Sequence, residues 1–487
     1  MAALGLFSEE DMTMNKMKIV FAGVLALMMC AGISACGKDG DDAKDSSANA
    51  IKLNEEQQAV VDEAANKLPE MKLDNSTIKW MAHYDINPGD GNVTPPGLQM
   101  FKDTYNGKID FVQTTWDNRY TDLAKYVMSN DSPDFFPASD MDGFPKGAIK
   151  GMFEPVDDYI DLSSDLWADV KATSDAFTFG GGHYVIPIKS SPNFVCVYNT
   201  KTIEDNGYED PATLYYNNEW TWSKFTEMCL DFTDSENDLY ALDGYWYGQA
   251  LNDTCGVPLI GLVDGKVVNN MKDPGVAKVQ NLMYELQKNN VVFDRSTNNW
   301  STRGDGATGE GLGTYQTLFI PVGLWGIENS PENVKPFGDV EAGEIMFCPM
   351  PRLDDSDTHY VSARVDGYHM VSNAPNPMGV VAYMNCLKVC DTEASQVTEQ
   401  QLRNDYKWND EMIDMRNEVY RLVNEHPVYD FQHGVSSELE TMMSAVNQYT
   451  MITGGGAGTW TTCVEENASA VDYIIKEVNE NMESPEK

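Results

Sequence analysis

The stretch GGGHYVIPIKSSPNFVCVYN, residues 180–199, constrains the architecture more than any other part of the chain. Three glycines, suited to a turn with unusual backbone angles, open onto an apolar run that carries Pro187. A polar island follows, Lys189-Ser190-Ser191-Pro192-Asn193, and then a second apolar run over 194–198. A central strand does not normally carry both a proline and a polar island, and a hairpin would use a tighter, glycine-bearing turn. Two arrangements remain. Residues 184–188 end one domain, with Pro187 closing the ladder, 189–193 cross over, and 194–198 begin a second domain. Alternatively, the whole run is one edge strand with a β-bulge. The length of 487 residues favours the first, because a chain of this size exceeds one core.

The N-terminus has the layout of a secretory signal. Lys16 and Lys18 precede an apolar run at 19–33, followed by Ser34, Ala35 and Cys36. A run of about 15 residues falls short of the roughly 20 that a spanning helix needs, although a short transmembrane anchor is the competing assignment. ISAC at 33–36 resembles a bacterial lipobox with Cys36 as the lipidated residue. Residues 1–35 are therefore expected to be a lipoprotein-type signal peptide. Its start is expected at Met14 or Met17, because Glu9, Glu10 and Asp11 do not suit a signal. Residues 36–52 include GKDGDDAKDSSANA and read as a flexible tether.

Charge and cysteine usage exclude several function classes. Acids outnumber bases 76 to 34, for a net charge of −42, so a nucleic-acid partner is not expected. Nine cysteines contain no CxxC pair, and Cys386 and Cys390 have no His-rich partner segment; no zinc, other metal or cofactor is expected. The seven cysteines after Cys36 read mostly as small buried hydrophobes. His83, His183 and His369 stand at no ligand spacing. GxSxG and HExxH are absent, and the chain is expected not to be an enzyme.

Along the body, strand-like and helix-like segments alternate, which predicts a mostly parallel α/β sheet. Strands are expected at 76–85, 108–117, 132–139, 344–353 and 365–377, and helices at 53–71, 119–130, 273–290 and 378–391. A helix over 219–233 is expected to carry Glu219 in its first turn, where the helix dipole favours an acid. The tail beyond about 400 reads as helical and acidic, with a glycine-rich loop at 453–460.

The order of several short segments is similar to the family 1 extracellular solute-binding proteins, lipoprotein receptors of carbohydrate ABC importers. SPDFF (132–136), GMFEPVDDYI (151–160), HYVIPIKSSPNFVCVYNTKTIEDNGYEDP (183–211) and NNEWTWSKF (217–225) resemble family segments in the family's order. PVGLWGI (321–327) resembles its G-x-W segment, and DGY (366–368) its GG-[WY] turn. Val185 stands where the family usually has glycine, and the acidic run at 233–248 lacks the spacing of a calcium loop. The resemblance implies a two-lobed α/β fold of the type II periplasmic-binding-protein kind, with an interlobe ligand cleft and hinge crossings. The first lobe would comprise 53–188 plus about 346–400, and the second 189–345 plus about 401–487. It implies a monomer, lipid-anchored on the outer face of the cell membrane, that captures a sugar or oligosaccharide and delivers it to ABC transporter permease subunits. A non-transport glycan-binding or sensory lipoprotein and a secreted glycosidase, which would need a placed carboxylate pair, are the alternatives.

A sugar site needs aromatic platforms and a few placed polar groups, at the carboxyl ends of strands in an open α/β sheet. Tyr84 and Asp85 follow the first expected strand, Trp116 the second, and Asp140 and Asp142 the third. Tyr184 and Asn193 flank the crossing. The resemblance adds Trp325 and Tyr368. Trp246 reads as packing or cleft lining, and Arg364 as a partner of a ligand carboxylate or of local acids. Turn, cap and core duties compete for every one of these residues.

Overall fold

The structure, a computed structural model, describes residues 50–89, 93–244, 246–293, 310–451 and 458–483. The expected signal peptide, Cys36, most of the tether and most of the glycine-rich loop lie outside these residues. The strands that organise the described residues are β1 Thr77–Ala82, β2 Lys108–Gln113, β3 Phe135–Pro137, β4 Ile186–Pro192, β5 Val195–Asn199, β6 Tyr240–Leu242, β7 Ile260–Val263, β8 Lys266–Asn269, β9 Thr317–Val322, β10 Ile345–Cys348, β11 Val361–Met370 and β12 Pro427–Val428. A small hairpin pairs Thr178–Phe179 with Gly182–His183.

The first sheet runs β12-β11-β3-β1-β2, with β4 also paired to β11. β1 pairs in parallel with β2 and β3, and β11 is antiparallel to β3 and β4. β1 reads TIKWMA because it is covered on both faces, and Ile78, Trp80, Met81 and Ala82 are fully buried. Helices Glu55–Ala64, Pro96–Tyr105 and Pro377–Glu393 bury their apolar faces with it in one core. Local chemistry sets the ends of these helices. Asn54 and Gln57 form a capping box, and Asn376 caps the helix that Pro377 opens.

The second sheet runs β10-β5-β9-β6. β5 is antiparallel to both β9 and β10, and its five residues are all buried. Trp220, Phe225, Phe319 and Phe347 anchor the core beneath it. The nearby helix is Trp222–Phe232, capped by the Thr221 hydroxyl, so Glu219 lies outside its first turn. The earlier start fails because Trp220 is drawn into the core, where its indole N–H donates to the Pro349 carbonyl.

The opening stretch resolves differently from its first reading. Lys189, Ser190, Ser191 and Pro192 are strand, not crossing, because β4 runs to Pro192 and pairs along β11. Pro187 stays in the ladder opposite Gly367, and the register shifts between Asp366 and Gly367, so that Ile188 bulges out of the pairing. Only Asn193 and Phe194 connect the first sheet to the second. Both elements of the earlier alternatives are therefore present: a bulge within the strand and a change of sheet after it. The chain returns to the first sheet between β10 and β11, and β12 pairs with β11 after the helix Asp410–Glu425.

A third core cluster joins Ala138, Met141 and Phe144 to Leu259, Ile260 and Met271, and to the helices Ser437–Gln448 and Trp460–Glu483. All seven cysteines among the described residues are free, and all but Cys255 are buried. No described helix is long and apolar enough to cross a membrane.

Candidate functional site

Parallel strands deliver their carboxyl ends to one rim of the first sheet. His83 and Tyr84 follow β1, Trp116 follows β2, and Ser139, Asp140 and Asp142 follow β3. β11 adds Arg364, Asp366 and Tyr368 at alternate positions, so all three lie on one face. Trp80 is the common floor: the rings of Tyr84 and Tyr368 each stand 5.7 Å from it, edge-on.

Charge is concentrated in this patch. Arg119, at the start of the helix Arg119–Met128, forms a buried ion pair with Asp142, and its guanidinium lies 3.6 Å from the centre of the Trp116 ring. Tyr120 donates to the other Asp142 oxygen at 2.5 Å. Asp142 thus has its charge partner, whereas Asp140 makes no ion pair among the described residues. Burial and the Asp142 carboxylate push Asp140 up to about 7, against the pull of Arg119 and Arg364. Burial and the Arg119 charge hold His83 down at about 4, so its imidazole is neutral at pH 7. Burial and the Asp140 carboxylate raise the Tyr84 phenol, which is hydrogen-bonded to Ser139.

Several polar atoms here are buried with no hydrogen-bond partner among the described residues. They are both ring nitrogens of His83, Arg119 Nε, Arg364 Nε and Asp140 Oδ2. Buried polar groups are nearly always paired, so donors and an acceptor gathered in one patch suit a ligand that offers both. A charged array extends toward the second sheet. Arg364 pairs with Asp366 at 3.5 Å, and Lys189 with Asp391 at 3.0 Å. The Lys189 ammonium lies 5.1 Å from the Tyr420 ring, and Arg416 lies 4.6 Å from the same ring while bonding Glu328 at 2.7 Å. Glu328 follows the short helical turn Leu324–Gly326 that carries Trp325.

On the second-sheet side, three aromatics form a ladder. Phe194 stacks on Trp246 at 6.2 Å, and Trp246 meets Trp325 edge-on at 5.6 Å. Trp325 is 43% exposed, whereas most tryptophans of the chain are core residues.

The expected site residues therefore separate into groups. Tyr84, Trp116, Asp140, Asp142 and Tyr368 gather on the first-sheet rim. Trp325 stands on the second sheet with Trp246. Asn193 lies in the crossing, where its N–H donates to the Ser362 carbonyl at 2.7 Å. Asp85 holds a turn, accepting from the Asn87 backbone and side chain at 2.8 and 2.9 Å. Tyr184 lies apart from the rim: its ring packs near Phe179 and Phe144, and its carbonyl accepts from His369, which is on the opposite face of β11 from Tyr368. Arg119, Lys189, Arg416 and Tyr420 are additions that sequence reasoning missed. Arg364 and Asp366 had a usable signal, the alternation RVDGY in an apolar strand; Arg416 and Tyr420 had none, because they reach the patch from a distant helix.

Residues 90–388 match the family described as bacterial extracellular solute-binding protein. The chain belongs to this family. No curated protein matches the sequence, but solved structures do. An ABC transporter solute-binding protein from Thermotoga lettingae, solved with α-D-tagatose, aligns at a TM-score of 0.59 and 17% identity, covering 82% of this chain and 100% of that one. A Listeria monocytogenes ABC substrate-binding protein in complex with cycloalternan gives 0.57 and 13%, covering 84% and 100%. A Staphylococcus aureus extracellular solute-binding protein in complex with maltose gives 0.57 and 12%, also covering 84% and 100%. At these identities the likeness carries the fold. This solute-binding protein thus has the two-lobed, type II periplasmic-binding-protein-like architecture.

Proposed function

We propose that this solute-binding protein captures a sugar or oligosaccharide between its lobes and delivers it to the permease of an ABC transporter. The observation that carries this reading is the first-sheet rim, where aromatic rings surround buried donors and an acceptor with no hydrogen-bond partner among the described residues. A polyhydroxyl ligand presents both hydrogen-bonding roles and apolar C–H faces, which is what such a rim accommodates. The solved relatives with bound tagatose, cycloalternan and maltose support the substrate class. Tyr84, Trp116, Asp140, Asp142 and Tyr368 would contact the ligand from one lobe and Trp325 from the other. Closure about the crossings would then bury it. The lobes would be divided at Asn193 and Phe194 and again between β10 and β11. A lipid on Cys36 would hold the protein, as a monomer, at the outer face of the membrane, and the protein would bind without turnover.

Calorimetry against a glycan panel, with chromatography of the recovered sugars, tests this reading. Saturable binding of at least one glycan, recovered intact, is the expected result. Trp325→Ala should weaken it about tenfold or more, the scale of losing an aromatic anchor. Absence of binding across mono- and oligosaccharides, or release of cleaved products, would count against the proposal.

A further inference from the structure

Away from the rim, two carboxylates are buried together where the lobes join. Asp253 is wholly buried and Asp430 is 3% exposed. Asp253 follows the helix Tyr247–Asn252, which packs in the second-lobe core, and Asp430 follows β12, which pairs with first-lobe β11. Ser362, the second residue of β11, links their segments: its hydroxyl donates to Asp253 at 2.6 Å, its backbone pairs with Val428, two residues before Asp430, and its carbonyl accepts from Asn193 of the other crossing at 2.7 Å. Both passages of the chain between the two sheets, at Asn193 and just ahead of Ser362, therefore meet beside this pair.

The surroundings supply hydrogen bonds but no counter-ion. Asp430 accepts from the Leu259 and Gln432 amides at 3.0 and 2.9 Å. Asp253 accepts from Asn252 at 3.4 Å, and Asn252 continues through Gln280 to Thr450, all buried. Among the described residues neither carboxylate makes an ion pair. The titratable neighbours are Cys255, near Asp253, and His433, near Asp430. His433 itself faces Glu440, which also takes Lys146. Two anions this deep, within electrostatic reach of each other and lacking a cation, cannot both stay ionised at modest cost. Burial, reinforced by the neighbouring carboxylate, raises Asp253 well above the ordinary range, and burial holds Asp430 at about 6.

We propose that Asp253 and Asp430 retain one proton between them and act as a protonic latch on the hinge, favouring the lobe arrangement seen here. Rotation that separates the two side chains, or lets water reach them, removes the reason for keeping the proton and releases it. Protonation then favours this arrangement, and higher pH favours departure from it. The behaviour is that of a coupled pair, so the titration belongs to both residues jointly.

The sign follows from proton counting. The unfolded chain releases its carboxyl protons near pH 4, whereas the folded pair still holds one, so stability falls as pH rises from about 4 through the pair's own titration. The test compares the wild-type protein with Asp253→Asn and, separately, Asp430→Asn in thermal denaturation from pH 5 to 8.5, alongside small-angle scattering at pH 5.5 and 8. The wild type should lose stability with rising pH more steeply than either amide variant, by up to the equivalent of one proton, and its scattering profile should change with pH while those of the variants do not. Other titrating groups cancel in the difference. Equal slopes in all three proteins would overturn the shared proton. Steeper wild-type loss with an unchanging scattering profile would overturn the latch. Stabilisation of the wild type by calcium or magnesium at pH 8, absent from the variants, would also overturn it, by placing a cation where the proton is assigned. Should the amide variants fail to fold, infrared titration of the protonated carboxyl band in Asp140→Asn, which removes the rim carboxyl that also holds a proton in this range, decides the matter: a band persisting near pH 6 is expected, and its absence above pH 5 overturns the proposal.

Discussion

Arg119 shows how one side chain can hold a rim together. It is 5% exposed, stacks on Trp116 and pairs with Asp142. Asp142→Asn keeps the shape and removes the charge, leaving a buried guanidinium unpaired. Breaking such a pair typically costs about 3–5 kcal/mol, and urea denaturation should show a loss of that size. Histidines set a second residue-scale effect. Burial holds His83, His359 and His369 at about 4, each below its unfolded value of 6.5. Below pH 6.5 the unfolded chain takes up protons that the folded one refuses, so this contribution to stability is lost as pH falls from 6.5 toward 4. His369 stacks on Phe153 at 4.0 Å, and His369→Asn should flatten the denaturation profile in that window while leaving the profile above pH 7 unchanged in slope. Tyr84, Trp116, Asp140 and Asp142 were open to sequence reasoning because they stand at the carboxyl ends of strands, and Tyr368 through the resemblance of DGY to a family turn. The cations were not: Arg119 opens a helix rather than ending a strand, and Arg416, with Tyr420 beside it, is brought in by tertiary packing that no local pattern announces.

At the level of elements, β4 and β11 carry the connection to the second lobe. Apolar runs and proline position disclosed that residues 186–199 change sheets, but not that the polar residues belong to the strand. Ser190 and Ser191 are buried and satisfied by Tyr429 and Asp366, so their polarity marks buried hydrogen bonding rather than solvent. The bulge at Ile188 is closely fitted: a Cβ on Gly367 would meet the Ile186 carbonyl at 2.8 Å. Gly367→Ala must therefore push the strands apart. A loss of about 1–3 kcal/mol, as for other overpacked sites, is expected in chemical denaturation, together with weaker ligand binding because Tyr368 is the next residue. The helices were more legible than the strands, since Asn54, Asn376 and the prolines after caps write their own boundaries.

For the whole molecule, the two-lobed plan was legible from the order of degenerate segments, whereas the sheet memberships of 345–348 and 427–428 were not, because strand pairing between distant segments leaves no local signature. The proposed lipid anchor would act at this scale. Cys36→Ser should move the protein from the membrane fraction to the medium on fractionation of cells, because acyl chains contribute about 0.8 kcal/mol per buried methylene and nothing in the acidic tether replaces them. The same plan also governs assembly. The first sheet needs β11, which lies between its neighbours β3 and β12, and β11 begins only at Val361, after the second sheet has received its last strand. The first sheet is thus begun early and completed late, with all four strands of the second sheet inserted in between. During folding the leading segment must wait, with Trp80 and Phe135 uncovered, until the trailing segment arrives. Pairings so distant in sequence form slowly, so a chain cut before residue 361 has no way to finish the sheet it started and would persist as a long-lived, sticky intermediate.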